Sequence, residues 1–528
     1  MAILVQDLIA EAAQRAPLAP ALRYQGVDMN YENLALRMDA VARGLLALGL
    51  QREDRVAVYL EKREEAVLAM FGAAAAGGVF VPLNPLFKPG QVAHVVGDCG
   101  ARILVTSAER LDGLGGLGEL ARHCPQLRAI VVAGGEAAHH DGVRLVPWSE
   151  FVRAGGCGTV HRRIESDIAA ILYTSGSTGR PKGVVLSHRN LVAGALSVAG
   201  YLENSAADRI LAVLPLSFDY GLSQLTTAFA SGACVVLMNH LFARDIPEMV
   251  ESERITGLAG VPPLWIQLAQ LSWPRVSALR YLTNSGGAMP RATLTSLRRS
   301  LPHTHVYLMY GLTEAFRSTY LAHQYLDARP DSIGKAIPNA EVMVLRPDGS
   351  ECDPHEPGEL VHRGPLVALG YWNDPERTRE RFKPFARSAA LPLAENVVWS
   401  GDTVRRDEEG YLYFIGRGDD MIKTAGYRVS PSEVEEVVYA TGLVAEAAAI
   451  GVRHPVQGQV IALVASGRDG QALDGAALSA ACRQALPAYM LPAWIDVRAM
   501  ALPRNPNGKI DRRLLADELA DLFAQAAS

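Results

Sequence analysis

A surplus of charge of one sign is the first thing missing from this 528-residue chain. Lys and Arg number 51 against 56 Asp and Glu, and the formal net charge of -5 supplies no basic field to attract nucleic acid or anionic lipid. Paired cysteine spacing is missing too. Six cysteines (Cys99, Cys124, Cys157, Cys234, Cys352, Cys482) are scattered without a CxxC, which argues against a zinc site or a secreted disulfide framework and predicts a reducing cytoplasm. The N-terminal stretch MAILVQDLIAEAAQRAP lacks a basic n-region and carries Asp7 and Glu11. It therefore reads as an amphipathic helix and not as a signal peptide. The apolar run from Ala66 to Leu83 is broken by Gly72, Gly77, Gly78 and Pro82, so a buried helix-turn-strand is expected there instead of a membrane span. No internal repeat or long low-complexity tract is present.

What is there is the composition of a soluble globular protein, 49% hydrophobic and 20% charged, in a chain too long for one compact core. Helical stretches such as Glu32 to Leu48 alternate with β-rich runs at Arg55 to Leu60, Arg102 to Thr106 and Ala129 to Val132. The alternation continues through Ile210 to Leu214, Cys234 to Met238 and His305 to Met309, which is α/β wiring with a mostly parallel sheet. Around Val342 to Leu345 and Glu359 to Arg363 the pieces shorten into a smaller β-rich subdomain. A polar, Gly-rich GRGDD (Gly416 to Asp420) then marks a boundary. The expected organisation is a large N-terminal domain of layered α/β subdomains plus a β-rich subdomain, residues 1–418, and a small mobile α+β C-terminal domain, residues 419–528. In the second, Ser430, Pro431 and Glu433 predict a capped helix start, and Asp511 to Phe523 a last surface helix.

One stretch concentrates backbone freedom, hydroxyls and positive charge: TSGSTGRPKG, Thr174 to Gly183. Gly176, Gly179 and Gly183 allow close backbone approach, Thr174, Ser175, Ser177 and Thr178 supply hydroxyls, and Lys182 with Arg180 supplies cations. A buried strand precedes it, and a second strand follows that leads to a helix capped by Ser187. The lysine is followed by glycine and not by Ser or Thr, so this is not the ordinary P-loop NTPase signature. A phosphate cradle is the functional reading, and a Ser/Gly-rich surface turn is the bland one.

Four more stretches join that loop: TNSGGAMP (Thr283 to Pro290), YGLTEA (Tyr310 to Ala315), Ser400 to Glu435 with SGDTVRRDEEGYLYFIGRGDDMIKTAGYRVSPSEVE, and PRNPNGKIDR (Pro503 to Arg512). Together and in this order they resemble the adenylate-forming superfamily of acyl-CoA synthetases, peptide-synthetase adenylation domains and firefly-type luciferases, over nearly the whole chain. The chain also resembles AMP-forming ligases associated with bacterial exosortase systems, on no single motif. The first resemblance implies that a carboxylate attacks the α-phosphorus of ATP, releases pyrophosphate and leaves an acyl-adenylate whose carbonyl a thiol then attacks.

It also implies roles. Thr174, Ser175, Gly176, Ser177, Thr178, Gly179 and Lys182 would bind the departing phosphates, Glu314 would ligate Mg2+, and Thr313 would contact the α-phosphate. Tyr310 would offer a stacking face to adenine, with Gly286, Gly287 and Ala288 as the flat backbone beside it. Asp402 would accept the ribose hydroxyls, Arg417 would contact ribose or phosphate, and Lys509 would reach between carboxylate and α-phosphate. Asp419 matches the hinge of the small domain, and Gly426 with Tyr427 the channel of the thiol. Taken singly, Asp402 and Lys509 are turn residues by default and Glu314 a helix N-terminal acid; it is their concert that points to chemistry.

For the acid, the residues point two ways. In PLSFDYGL (Pro215 to Leu222), Phe218 stands where many acyl-CoA synthetases carry histidine, and Asp219 follows, as in amino-acid-adenylating domains where it pairs with the substrate ammonium. Asp219 as the cap of a helix from Gly221 to Ala230 is the plainer reading. Arg317 could pair with an acidic or polar substrate group or form a surface ion pair. Leu312 in YGLTE leans toward the acyl-CoA side. The acceptor is coenzyme A, for whose 3′-phosphate Arg453 or Arg483 could serve, or the phosphopantetheine of a carrier protein. With nineteen residues after Lys509, such a carrier is expected to be a separate protein. A nucleotide-binding regulatory module without turnover is the alternative from another class.

Overall fold

The computed structural model describes all residues except 1, 115–119, 121, 135–137, 141, 154–159, 175–180, 275, 386–394, 418–421, 425–426, 455–457, 469–472, 487, 506–507 and 524–528. Its strands form three sheets. In the first, Pro20–Tyr24, Cys234–Leu237, Arg209–Ala212, Gly257–Gly260, Tyr281–Asn284 and His305–Tyr310 run parallel as neighbours. The second has Arg55–Tyr59, Val79–Pro82, Ile103–Ser107, Ala129–Ala133, Val143–Pro147 and Ile168–Thr174 in parallel and continues from Ile168–Thr174 through the antiparallel Lys182–Ser187 to Gly370–Tyr371. These strands are near-continuous apolar runs such as CVVL and ILVTS, as expected where both faces are covered. The α/β alternation is thus shared between two sheets, where one was expected. The largest core cluster draws on both and on the helices between them, through Leu34, Phe71, Phe80, Leu225 and Phe229.

The short β pieces after residue 318 do not stand apart. Thr319–Leu321 and Ser332–Ala336 continue antiparallel from His305–Tyr310 and carry the first sheet onward to Leu412–Arg417, Asn396–Arg406, Gly358–Arg363 and Glu341–Leu345. This continuity places Asp402 within reach of Tyr310. The third sheet, from Ile422–Thr424 to Trp494–Arg498, belongs to the smaller C-terminal domain and has an apolar core on each face.

Local chemistry sets the helix ends. Ser187 caps His188–Tyr201, accepting from the Asn190 backbone N–H at 3.2 Å while the Asn190 side chain reaches back. Glu64–Ala76 stops at Gly77 in the left-handed conformation (φ 95°), and Val79–Pro82 follows, the buried helix-turn-strand expected there. Two expected starts differ. Pro431–Ala440 opens with proline at its first turn, but Ser430 makes no cap bond. Asp219 is itself the first residue of Asp219–Ser231, so Phe218 holds the cap position and the capping reading of Asp219 fails. Gly221 is required there, since a Cβ would lie 1.9 Å from the Pro215 carbonyl oxygen. The last helix is shorter than expected, Arg512–Glu518.

Candidate active site

A cleft of about 1750 Å³ separates the two domains, lined on one side by Lys182, Gly286, Gly287 and Ala288 and on the other by Lys509. Lys182 opens the strand Lys182–Ser187, and its Nζ donates to Glu314 Oε1 at 3.1 Å and to the Tyr371 hydroxyl at 2.9 Å. Tyr371 in turn donates to the same Glu314 oxygen at 2.6 Å. Burial alone would raise the Glu314 carboxyl, but the Lys182 charge and the Tyr371 hydroxyl hold it below the usual glutamate range. Glu314 therefore stays ionised beside Lys182, which lines the cleft. It sits in a single 3-10 turn, Thr313–Ala315, closed by Phe316 at φ 41°, a left-handed value for a bulky residue whose ring is fully buried. Strain held by packing at the turn that aims a carboxylate is what a preorganised site requires.

Tyr310, at the end of His305–Tyr310, donates its hydroxyl to Asp402 Oδ2 at 2.5 Å. Its ring is parallel to that of His362, centroids 6.0 Å apart. His362 is 2% exposed, neither ring nitrogen has a partner among the described residues, and burial pushes its pKa down to about 3. Asp402 pairs in register with Arg417 on the adjacent strand. Lys509 arrives from the C-terminal domain. A Cβ on Gly286, whose φ is 84°, would lie 3.2 Å from Lys509 Cε, so glycine here is what admits the lysine. Lys509 Nζ is 5.9 Å from the centre of the Phe218 ring. The turn is held by Asn505, whose side chain accepts from the Lys509 N–H at 3.1 Å, and by Arg504, which donates to the Gly508 carbonyl at 2.7 Å and pairs with Glu446.

Asp219 and Arg317, expected to meet a substrate, meet each other: Nη1 and Oδ2 are 3.6 Å apart and the side chains are 5% and 3% exposed. The pair is buried, which overturns the surface reading of Arg317. Burial pushes the Asp219 carboxyl above the aspartate range against the opposing pull of Arg317.

The structure thus brings Lys182, Gly286, Gly287, Ala288 and Lys509 to one cleft, with Glu314 held behind it by Lys182, Tyr310 paired to Asp402 and Thr313 beside Glu314. Thr174 ends its strand with a buried hydroxyl that has no partner among the described residues. Ser175, Gly176, Ser177, Thr178, Gly179, Asp419 and Gly426 lie outside the described residues, as do the side chains of Arg417 and Tyr427. Arg453 and Arg483 do not line the cleft, whereas Arg468, Arg498 and Arg504 do. Tyr371 and His362 were missed. Each lies far from its partner in sequence, and no spacing announces either.

The site suits a nucleotide and one divalent cation. Among the described residues no group of three His, Cys, Asp or Glu could hold a metal, so Glu314 offers a single carboxylate. That suits Mg2+, which is usually held by one or two carboxylates together with phosphate and water oxygens. The two lysines, the orphaned Thr174 hydroxyl and the left-handed Gly286 suit phosphates and a flat base.

Residues 9–372 match the family model described as AMP-binding enzyme, and residues 433–509 that described as AMP-binding enzyme C-terminal domain. The chain is 31% identical over 98% of its length to an L-proline–(L-prolyl-carrier protein) ligase of Pseudomonas fluorescens, covering 99% of it. It is 32% identical over 94% of its length to a feruloyl-CoA synthase of an Amycolatopsis species, covering 95% of it. It also shares 30% identity over 97% of its length with a linear gramicidin synthase of Brevibacillus parabrevis, but spans only 6% of that protein. Among solved structures, O-succinylbenzoate coenzyme A synthetase of Bacillus subtilis in complex with ATP and magnesium ion superposes with a TM-score of 0.80 at 25% identity, over 96% of this chain and 98% of that one. No helix among the described residues is long and apolar enough to cross a membrane.

Proposed function

The chain belongs to the AMP-binding enzyme family, and from that premise we propose that it is an AMP-forming acid–thiol ligase that uses ATP and Mg2+ and that its residues divide the work as follows. The observation that carries the proposal is that Lys182, bonded to Glu314 and Tyr371, lines one cleft with Lys509. Lys182, with the hydroxyls of Thr174 to Thr178, holds the β- and γ-phosphates of ATP. Tyr310, Gly286, Gly287 and Ala288 receive adenine, and Asp402 with Arg417 the ribose. Lys509 draws the acid's carboxylate oxygen and an α-phosphate oxygen together. Neutralising their mutual repulsion and fixing the approach are the two largest means by which a site can speed this displacement. The carboxylate oxygen bonds to the α-phosphorus as the bond to pyrophosphate breaks, and pyrophosphate leaves with the electron pair. Mg2+ at Glu314 would offset the charge that develops on the bridging phosphate oxygens. Thr313 positions the α-phosphate.

In the second half-reaction a phosphopantetheine thiol adds to the acyl carbonyl and AMP departs. Relatives that bear the names of a coenzyme A ligase and of a carrier-protein ligase support both acceptors. We place the domain boundary at 418/419 and the hinge at Asp419. Rotation there would withdraw Lys509 and present Gly426 and Tyr427 to the thiol. The enzyme would work in the cytoplasm, with any carrier a separate protein.

The test is pyrophosphate exchange into ATP over a panel of acids, with Mg2+, followed by product analysis. AMP and pyrophosphate are expected, with exchange lost in Lys509→Ala. Release of ADP and phosphate would overturn the reading. Asp419→Pro should spare exchange and slow thioester formation, and an equal loss of both would remove the hinge.

A further inference from the structure

Three residues beyond Glu314 the chain turns Arg317 into the large domain, where it lies 4.6 Å over the ring of Tyr220 and against Asp219. Arg317 Nη2 has no hydrogen-bond partner among the described residues. It borders a small cavity of about 30 Å³ that Tyr220, Gln224, Thr227, Thr283 and Met309 also line. Gln224, 5% exposed, donates its Nε2 to the Leu211 carbonyl at 2.7 Å, which fixes the orientation of its amide. Its Oε1 is the remaining acceptor, and it too is buried without a partner among the described residues. One buried cationic donor and one buried acceptor thus belong to residues that line the same small space.

The charges of this wall cancel internally. A substrate ammonium could reach Asp219 only by drawing it from Arg317, and a second substrate carboxylate could reach Arg317 only by drawing it from Asp219. Either exchange leaves one buried charge without its counter-ion, which is the costly outcome for a desolvated pair. What the wall still lacks is a group that accepts from Nη2 and donates to Oε1. A hydroxyl does both with one atom, and the cavity has room for one such group.

We propose that the acid activated by this enzyme carries no charge besides its reacting carboxylate and bears a hydroxyl on its tail, held between Arg317 and Gln224, so that α-amino acids and dicarboxylic acids are rejected. The inference rests on the adenylation reading above and narrows its substrate class. Asp219 is then a positioning residue that holds Arg317, and not a receptor for ammonium.

The experiment is pyrophosphate exchange with the full chain over four sets of acids: proteinogenic amino acids, short dicarboxylic acids, plain aliphatic and aromatic acids, and hydroxylated partners matched to the plain ones. The best hydroxy acid should exceed its deoxy partner by about 100-fold or more in kcat/KM, because leaving buried polar groups unmade costs more than a missing methylene. Gln224→Met should shrink that ratio by about 10-fold. An amino acid as best substrate, with exchange abolished by Asp219→Asn, overturns the inference and leaves the adenylation reading standing. So does a hydroxy-to-deoxy ratio near one in the wild-type chain, whatever the variant does. Exchange with no acid in any set overturns the adenylation reading and this inference with it.

Discussion

Glu314 and Arg317 lie three residues apart, and the carboxylate–cation pairs they form with Lys182 and Asp219 behave oppositely. Glu314 lies behind Lys182 at the cleft, with side-chain exposures of 13% for it and 23% for Lys182, and accepts both the ammonium and the Tyr371 hydroxyl on one oxygen. Asp219 is sealed with Arg317 at 3.6 Å. The first carboxyl is held below its usual range and the second is pushed above it. Both are desolvated. The difference is the number of short hydrogen bonds to the charged form, which outweigh burial at Glu314 and do not at Asp219. A pair with close donors at the mouth of a cleft is poised to handle charge from a ligand. A looser pair in a dry wall shapes what may enter and penalises any change to itself.

That contrast can be broken experimentally. Arg317→Met should cost about 3–5 kcal/mol in denaturant unfolding, because it strands a buried carboxylate. Adding Asp219→Asn should recover at least half of it. A loss under about 1 kcal/mol would mean that the wall is wetter than its 3% and 5% exposures imply. Glu314→Gln should act on chemistry first, lowering kcat/KM for ATP in pyrophosphate exchange by about 100-fold, roughly 2.7 kcal/mol. His362→Phe probes how dry the space behind Glu314 is. The folded-state pKa of His362, about 3, is below the ordinary 6.5, so between these values the unfolded chain binds more protons and stability falls with falling pH. The variant should flatten that limb by about 2 kcal/mol between pH 6.5 and 5 in unfolding curves. An unchanged slope would show that the imidazole takes up a proton without unfolding. Tyr371→Phe removes one of two donors to Glu314 and should lower kcat/KM for ATP about 10-fold, roughly 1.4 kcal/mol. No change would leave Lys182 as the sole support of that carboxylate.

The family-specific part of the site was legible because adenylate chemistry uses local strings. TSGSTGRPKG and YGLTEA each put several candidate residues within ten positions and PNGK adds Lys509, and most strands were legible as short apolar runs between turn residues. Helix starts were harder. Ser187 was recognised as a cap because its hydroxyl accepts locally, whereas Asp219 resembled one and is instead the first residue of its helix, turned toward Arg317. Tyr371 and His362 gave no signal, since a tyrosine 189 positions from Lys182 looks like any core aromatic until the sheets are packed.

By itself the sequence pointed to ATP, to a carboxylate as its target and to two domains, because phosphate cradles and metal-binding carboxylates demand particular residue types at short spacing. Only the tertiary structure decided that Asp219 and Arg317 pair with each other, that Gln224 lines a cavity with Arg317 and that Tyr371 props Glu314. Those are contacts between segments tens to hundreds of residues apart. The energy of a buried charge depends on what the whole fold brings within a few ångströms of it.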